Sequence, residues 1–278
     1  MKKIVIVIIA VLGFGLTLQA QDKEDFMSKR GVYILPESGD IGLGFDAVPF
    51  LNYMGNMFNG DAGNTVFTNF INNQAIVGKY YLADDAAVRG ELRLGFNSFS
   101  DQEFIMQDLD VPDPDVLVTD EMKLNFTNVH LGAGYEMRRG HGRIQGYFGG
   151  MVIFQYSQNS TKYFYGNSIT SDFNNPNTTN FGGNITGTGR LTEIKNLTNI
   201  GVGLRAFVGV EYFLAPKLSL GGEFGWGPAF NVITDGTRVE ERWTGTEVET
   251  QTTDIARDTN FGLDTDNAFG NIFLIFHF

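Results

Sequence analysis

The sequence predicts an all-β fold, a transmembrane up-and-down antiparallel β-barrel of eight strands, with ten strands as the alternative. Three observations lead there. Apolar residues alternate with polar residues or glycine in segments of about ten, the period of a strand with two unlike faces. The connections between those segments are alternately short and long, as in barrels with tight turns at one membrane face and long loops at the other. The final segment places apolar side chains at every second position up to an aromatic last residue, Phe278.

Composition narrows the class. The 278 residues include 35 glycines, nearly twice the usual share of about 7%, and 25 phenylalanines. Charged residues make up only 19%, and no cysteine occurs, which excludes a disulfide scaffold and thiolate metal sites. Acidic side chains outnumber basic ones by 32 to 20, a net charge of −12. That balance excludes nucleic acid as a partner, since little basic surface is available to displace phosphate counterions.

The elements follow in chain order. Lys2 and Lys3 precede an apolar run from Ile4 to Leu18, and Gln19-Ala20-Gln21 follows it. This is the layout of a cleaved secretory signal over residues 1–20. Cleavage would remove two lysines and no acid, taking the net charge from −12 to −14. Residues 21–38 then form a short periplasmic N-terminal segment, and 39–278 form the barrel with four long external loops. Strand segments are expected at 39–50, 74–82, 87–96, 127–138, 143–156, 199–214, 218–227 and 268–278. The clearest is 87–96, with Val88, Leu92, Leu94 and Phe96 on one face and Arg89, Glu91 and Arg93 on the other. Short turns fall at Ala83-Asp84-Asp85-Ala86, Arg139-Gly140-His141-Gly142 and Ala215-Pro216-Lys217. Long connections fall at 51–73, 97–126, 157–198 and 228–267. An even strand number returns both termini to one side.

If the apolar parity faces lipid, the opposite parity faces the lumen. The charged residues there are Lys79, Arg89, Arg93, Arg138, Arg143 and Arg205 against Asp46, Glu91, Glu136, Glu211 and Glu223. An eight-stranded barrel holds little more than its own side chains, and unpaired charge inside it is costly. The near balance therefore predicts mutual ion pairing in a largely closed lumen; the alternative is that the same charges gate a narrow passage. Counting from the short turns puts Arg93, Arg205, Glu223 and Asp46 at similar mid-height.

The loops differ in character. The first, Leu51 to Asn73, is apolar, with Tyr53, Met57, Phe58, Phe67 and Phe70. It either packs over the barrel mouth or meets a partner. The second carries Asp108, Asp110, Asp113 and Asp115, spaced as ligands for Ca2+ or Mg2+ could be, though without the glycine and terminal glutamate of an EF-hand. The other readings are a solvated acidic loop, or a divalent bridge to lipopolysaccharide phosphates. No other cofactor is expected. The third is rich in Asn, Thr and Gly with Tyr163, Phe164, Tyr165 and Phe173, either a recognition surface or polar filler. In the fourth, Thr237–Trp243 and Glu247–Thr253 flank Thr244-Gly245-Thr246. Their many charges favour a hairpin above the membrane over two further barrel strands.

Two resemblances attach to these residues. The run Ile272, Leu274, Phe276 and Phe278 resembles the terminal-strand signature of bacterial outer-membrane barrels, which implies recognition by the barrel-assembly machinery. Gly78-Lys79-Tyr80-Tyr81-Leu82 before a turn, and Arg89-Gly90-Glu91-Leu92 after it, resemble the small-barrel family of the OmpA transmembrane domain, OmpX and OmpW type. The signal cleavage region and the Asn-rich loops look like those of a Bacteroidota member. The resemblance implies a multi-pass position in the outer membrane of a Gram-negative cell, among its lipid and lipopolysaccharide. It fixes no activity. Three functions compete: a non-enzymatic barrel whose acidic loops serve surface interaction with an extracellular or outer-membrane protein, or envelope integrity; a narrow OmpW-like channel for small molecules; and a lipid-modifying enzyme. The chain has three histidines, His130, His141 and His277. No Ser-x-His or His-x-Ser pair sits on a predicted strand at the membrane surface, which counts against catalysis.

Overall fold

In the computed structural model, the described residues are 27–47, 76–187, 189–264 and 271–278, without the side chains of Asp46, His141, Asn196, Asp264 and Asn271. The signal segment and the apolar first loop lie outside them. Twelve strands form one antiparallel sheet: β1 (Ile41–Asp46), β2 (Ile76–Ala83), β3 (Ala86–Met106), β4 (Leu117–His141), β5 (Ile144–Phe164), β6 (Ile185–Thr186), β7 (Gly189–Ala215), β8 (Leu218–Ile233), β9 (Gly236–Trp243), β10 (Val248–Ile255), β11 (Asp258–Asp264) and β12 (Asn271–His277).

Eight of them close a ring. Pairing runs β1–β2–β3–β4–β5–β7–β8–β12, and β12 returns to β1 through Gly42↔His277 and Asp46↔Phe273. Mutual hydrogen bonds between Ile41 and Phe278 seal the seam, at 2.7 and 2.9 Å. Closure leaves no open sheet edge across this part of the wall, the condition a β-structure must meet in hydrocarbon. Outward-facing Val88, Leu94, Leu131, Val152, Val202, Leu204, Val208 and Trp226 form an exposed apolar belt around the ring. The fold is the up-and-down transmembrane barrel that the alternation predicts, with eight strands.

The strands are much longer than the sequence pattern indicates. β3, β4, β5 and β7 run 21, 25, 21 and 27 residues. At roughly 3.3 Å per residue they reach about 70–90 Å, whereas about 9–11 residues cross a membrane. Much of what reads as long loop at 97–126 and 157–198 is therefore strand. β3 and β4 stay in unbroken register from Ala86↔Met137 to Met106↔Leu117, and β4 and β5 from His141↔Ile144 to Glu121↔Phe164. The polar upper halves conceal the continuation, because above the membrane both faces of a strand meet water and the apolar alternation disappears. The β9–β10 hairpin pairs with the start of β7, Gly189–Lys195. It widens the wall above the membrane and adds no barrel strand. β11 pairs with the upper part of β8, in the same wall position as β12 below it.

The short turns and both ends of the described chain share one rim. Gly142, at φ 69°, is the first residue of the two-residue turn with Arg143, the place where such hairpins favour glycine. At the third turn Pro216 is followed by Lys217, which adopts φ 59° without being glycine. Lys217 is fixed there by its ion pair with Asp40 and by its N–H donating to Ile34 O at 3.0 Å. Ile34 is buried, and residues 34–40 pack against this rim through the bonds of Ser38, Gly39 and Asp40 to Leu82 and Tyr81.

Candidate functional site in the barrel lumen

The pleat sends every second side chain inward, and within the belt region many of those chains are charged. Lys79, Arg89, Arg138, Arg205, Glu136, Glu211 and Glu223 are all at most 5% exposed. They form one network. Lys79 Nζ lies 2.9 Å from Glu136 and 2.5 Å from Glu211. Arg138 pairs with Glu211 and donates to the Tyr81 hydroxyl. Arg89 holds Glu223 through both terminal nitrogens and Glu91 at 2.6 Å. Arg205 completes the set at 2.6 Å from Glu223 and 3.8 Å from Glu91. Four cations thus meet four carboxylates. Aromatic rings pack over the cations: Phe207 on Arg89 at 4.7 Å, Tyr147 on Lys79 at 4.6 Å and Tyr81 on Arg138 at 5.2 Å. Such contacts favour a desolvated cation. Glycine makes the room. A Cβ at residue 225 would occupy the space of the Arg205 guanidinium, and one at 209 that of the Tyr147 ring.

One expected member stands apart. Arg143 is corrected: it is solvent-exposed at the lower turn, where its Nη1 donates to Phe213 O and Leu214 O at 3.1 Å each. It is a turn residue, so strand parity does not apply to it. Arg93 is half-buried and lies above the network, paired in register with His130. In register Arg205 shares a row with Arg89, through Met151 and Gly134, while Arg93 shares one with His130 and Gln155; both arginines line the cavity described next. The Asp46 backbone pairs with Phe273, and its side chain lies outside the described residues.

A cavity of about 440 Å³ lies directly above the network. Arg93, His130, Gln155 and Asn231 line it along one row of paired residues, Arg93↔His130↔Gln155↔Gly201↔Asn231. Asn128, Ser157 and Asn199 line it one step higher. His130 links downward, with Nε2 3.4 Å from Glu91, and sideways, with Nδ1 3.4 Å from Gln155 Nε2.

One serine–histidine contact escapes the sequence pattern because the partners lie on different strands. Ser219 Oγ and His277 Nε2 are 3.0 Å apart, and both residues are buried. The nearby carboxylate, Glu211, sits 3.4 Å from the serine oxygen. It binds the serine and so does not orient the imidazole as a nucleophile's base requires. The contact packs among Tyr81 and Phe213.

The structure beyond the apolar belt is organised by buried polar residues. Asp120 accepts hydrogen bonds from the Gly166 and Thr179 N–H groups, each at 2.8 Å. Arg190 pairs with Glu241 at 2.7 Å, donates to Asn167 O at 2.7 Å and lies 4.0 Å from the Tyr165 ring centre. Burial pushes the Tyr165 phenol up to about 12. Tyr163 packs against Tyr165 and Phe181, so these aromatics serve the loop's own packing. The Asp108 carboxylate accepts from Asn177 N–H and that of Asp113 from Asp115 N–H, while Asp110, Asp113 and Asp115 are exposed. Among the described residues no group of three or more potential metal ligands occurs.

Ile272, Leu274 and Phe276 lie on the outward parity of β12, with Phe278 beyond its end, and Phe273, Ile275 and His277 are buried inside. A search of protein-family models found none that matches the chain, and no curated protein matches it. Among solved structures, the outer membrane protein OprG from Pseudomonas aeruginosa aligns with 88% of this chain and 98% of its own, at 12% identity and a TM-score of 0.34. The eight-strand closure rests on the pairing of this chain itself.

Proposed function

We propose that the chain is a non-enzymatic protein of the bacterial outer membrane, exported through its cleaved signal, whose barrel is sealed by the ion-pair network and whose work lies at its external face. The single observation that carries this is the four-against-four network. Moving a solute through it means separating buried charges that pair with one another, at a cost of several kcal/mol per ion. The strands and the β9–β10 hairpin extend the structure outward, where acidic side chains such as Asp110, Asp113 and Asp115 are exposed. That surface suits contact with a protein partner or with lipopolysaccharide, in surface interaction or envelope integrity. The C-terminal run of Ile272, Leu274, Phe276 and Phe278 is read as the signal for the barrel-assembly machinery.

The test is accessibility combined with permeability. In intact cells the β9–β10 hairpin is expected to be cleaved by added protease, while liposomes carrying the protein do not swell in isotonic small solutes. Swelling would favour the second reading, a narrow channel, whose supporting observation is the cavity above the network.

A further inference from the structure

The lumenal cavity is lined in a chemically specific way that sealing alone does not require. Four amides, Asn128, Gln155, Asn199 and Asn231, face it from four different strands, joined by Ser157 and His130. Beneath the amide row three of the four paired residues are small, Gly132, Gly203 and Ala229, with Ile153 between Gly132 and Gly203. Those small residues hollow out the space. Gln155 is solvent-exposed although it points inward, so water reaches the cavity.

We propose that this cavity binds a small, neutral, hydroxyl-rich solute of monosaccharide size, admitted from the external side. The charges at its floor are committed to one another, since Glu91 lies within reach of Arg89, Arg205 and His130. An entering ion would shed its water and find its counter-charges engaged. A hydroxyl group both donates and accepts, and each amide offers two donors and a carbonyl acceptor. The contacts of His130 leave such atoms over. With its Nε2–H donating to Glu91, its Nδ1 accepts from Gln155 Nε2, and the Gln155 carbonyl oxygen is left as an acceptor. Among the described residues the buried Asn199 Oδ1 has no hydrogen-bond partner, and it becomes an acceptor for a ligand hydroxyl once the side chain turns toward the cavity that Asn199 lines. The volume of about 440 Å³ lies in the range of small-molecule sites. Entry from outside rests on the sealed-barrel reading; binding itself does not.

The experiment uses refolded residues 21–278 in detergent micelles with 13C-methyl methionine. Met151 is the reporter, because its sulfur lies 3.7 Å from Arg205 Nη1 at the cavity floor. Titration with D-glucose and with mannitol is expected to shift the Met151 methyl signal saturably, and sodium acetate is not. The pair Asn199→Ala and Asn231→Ala should raise the half-saturating glucose concentration about tenfold, the loss of one to two hydrogen bonds. Ala229→Leu fills the hollow and should abolish the response while heat-modifiable migration on a gel stays normal. It also serves as the test if the double variant does not refold. Absence of a saturable shift with both polyols, a response to acetate as strong as to glucose, or unchanged saturation in Ala229→Leu would overturn the proposal. Conductance separates the two ideas: an open pore that binds glucose sinks the seal alone, and a silent barrel blind to glucose sinks the cavity proposal alone.

Discussion

Truncating Glu223 to leucine removes one carboxylate that holds both Arg89 and Arg205. Arg89 retains Glu91 at 2.6 Å, but the closest carboxylate left to Arg205 in this network is Glu91 at 3.8 Å. Glu223 is 4% exposed and the two guanidiniums 1% and 5%, so water cannot replace the lost partner. Breaking a buried ion pair by deleting one side typically costs about 3–5 kcal/mol. With a urea dependence of about 2 kcal/mol per molar, the unfolding midpoint should fall by roughly 1.5–2.5 M. Arg89→Leu, which leaves Glu223 to Arg205 alone, should lose a similar amount. The double variant should recover most of the loss, because replacing both members of a buried pair by apolar side chains is often close to neutral. Urea titration of the four proteins in the same lipid or detergent gives the cycle. Additive losses in the double variant, or single variants that unfold at the wild-type midpoint, would refute the idea that these charges act as one paired layer.

Further predictions concern the parts outside the membrane. Asp120→Ala removes the acceptor for two backbone amides; at about 1.5–3 kcal/mol for each hydrogen bond to a charged group, Gly166 and Thr179 N–H should each exchange with deuterium about ten- to a hundredfold faster while the barrel amides are unchanged. Deleting residues 236–255 should leave heat-modifiable migration intact, since among the described residues that hairpin pairs with the start of β7 and with itself and with no other strand. At the lower rim, burial raises the Asp40 carboxyl, but the Lys217 hydrogen bond, the Glu37 N–H and the Lys217 charge outweigh it and hold it below its usual value. A depressed carboxyl stabilises above its unfolded pKa and loses that contribution as pH falls through the folded one. Protease sensitivity of residues 27–38 should therefore rise below about pH 4, and Asp40→Asn should show that sensitivity already at neutral pH.

The belt region was legible from parity because lipid enforces it: Val88, Leu92 and Leu94 must face outward, which leaves Arg89 and Glu91 inward. The same rule located seven of the eight network members among the most buried polar residues, and Glu91 at the network's upper margin. It failed where its physical cause is absent. Arg143 sits in a turn, where no alternation holds. The upper halves of β3, β4 and β5 have water on both sides, so their strand character is written in continuous pairing and not in apolar rhythm. The pairings Ser219–His277, Asp120–Gly166 and Arg190–Glu241 join residues 58, 46 and 51 positions apart. No local spacing encodes them. The glycines at 209 and 225 did carry a signal, since a strand position without a side chain beside charged strands marks where a neighbour's large group must lie.

The central claim, a lumen sealed by paired charges, is tested most directly by single-channel recording of refolded residues 21–278 in a planar bilayer. The network of Lys79, Arg89, Arg138 and Arg205 with Glu91, Glu136, Glu211 and Glu223 predicts a silent membrane after insertion is verified by heat-modifiable migration. Discrete, reproducible openings, altered in size or frequency by Glu223→Gln, would contradict it and make the same residues a gate.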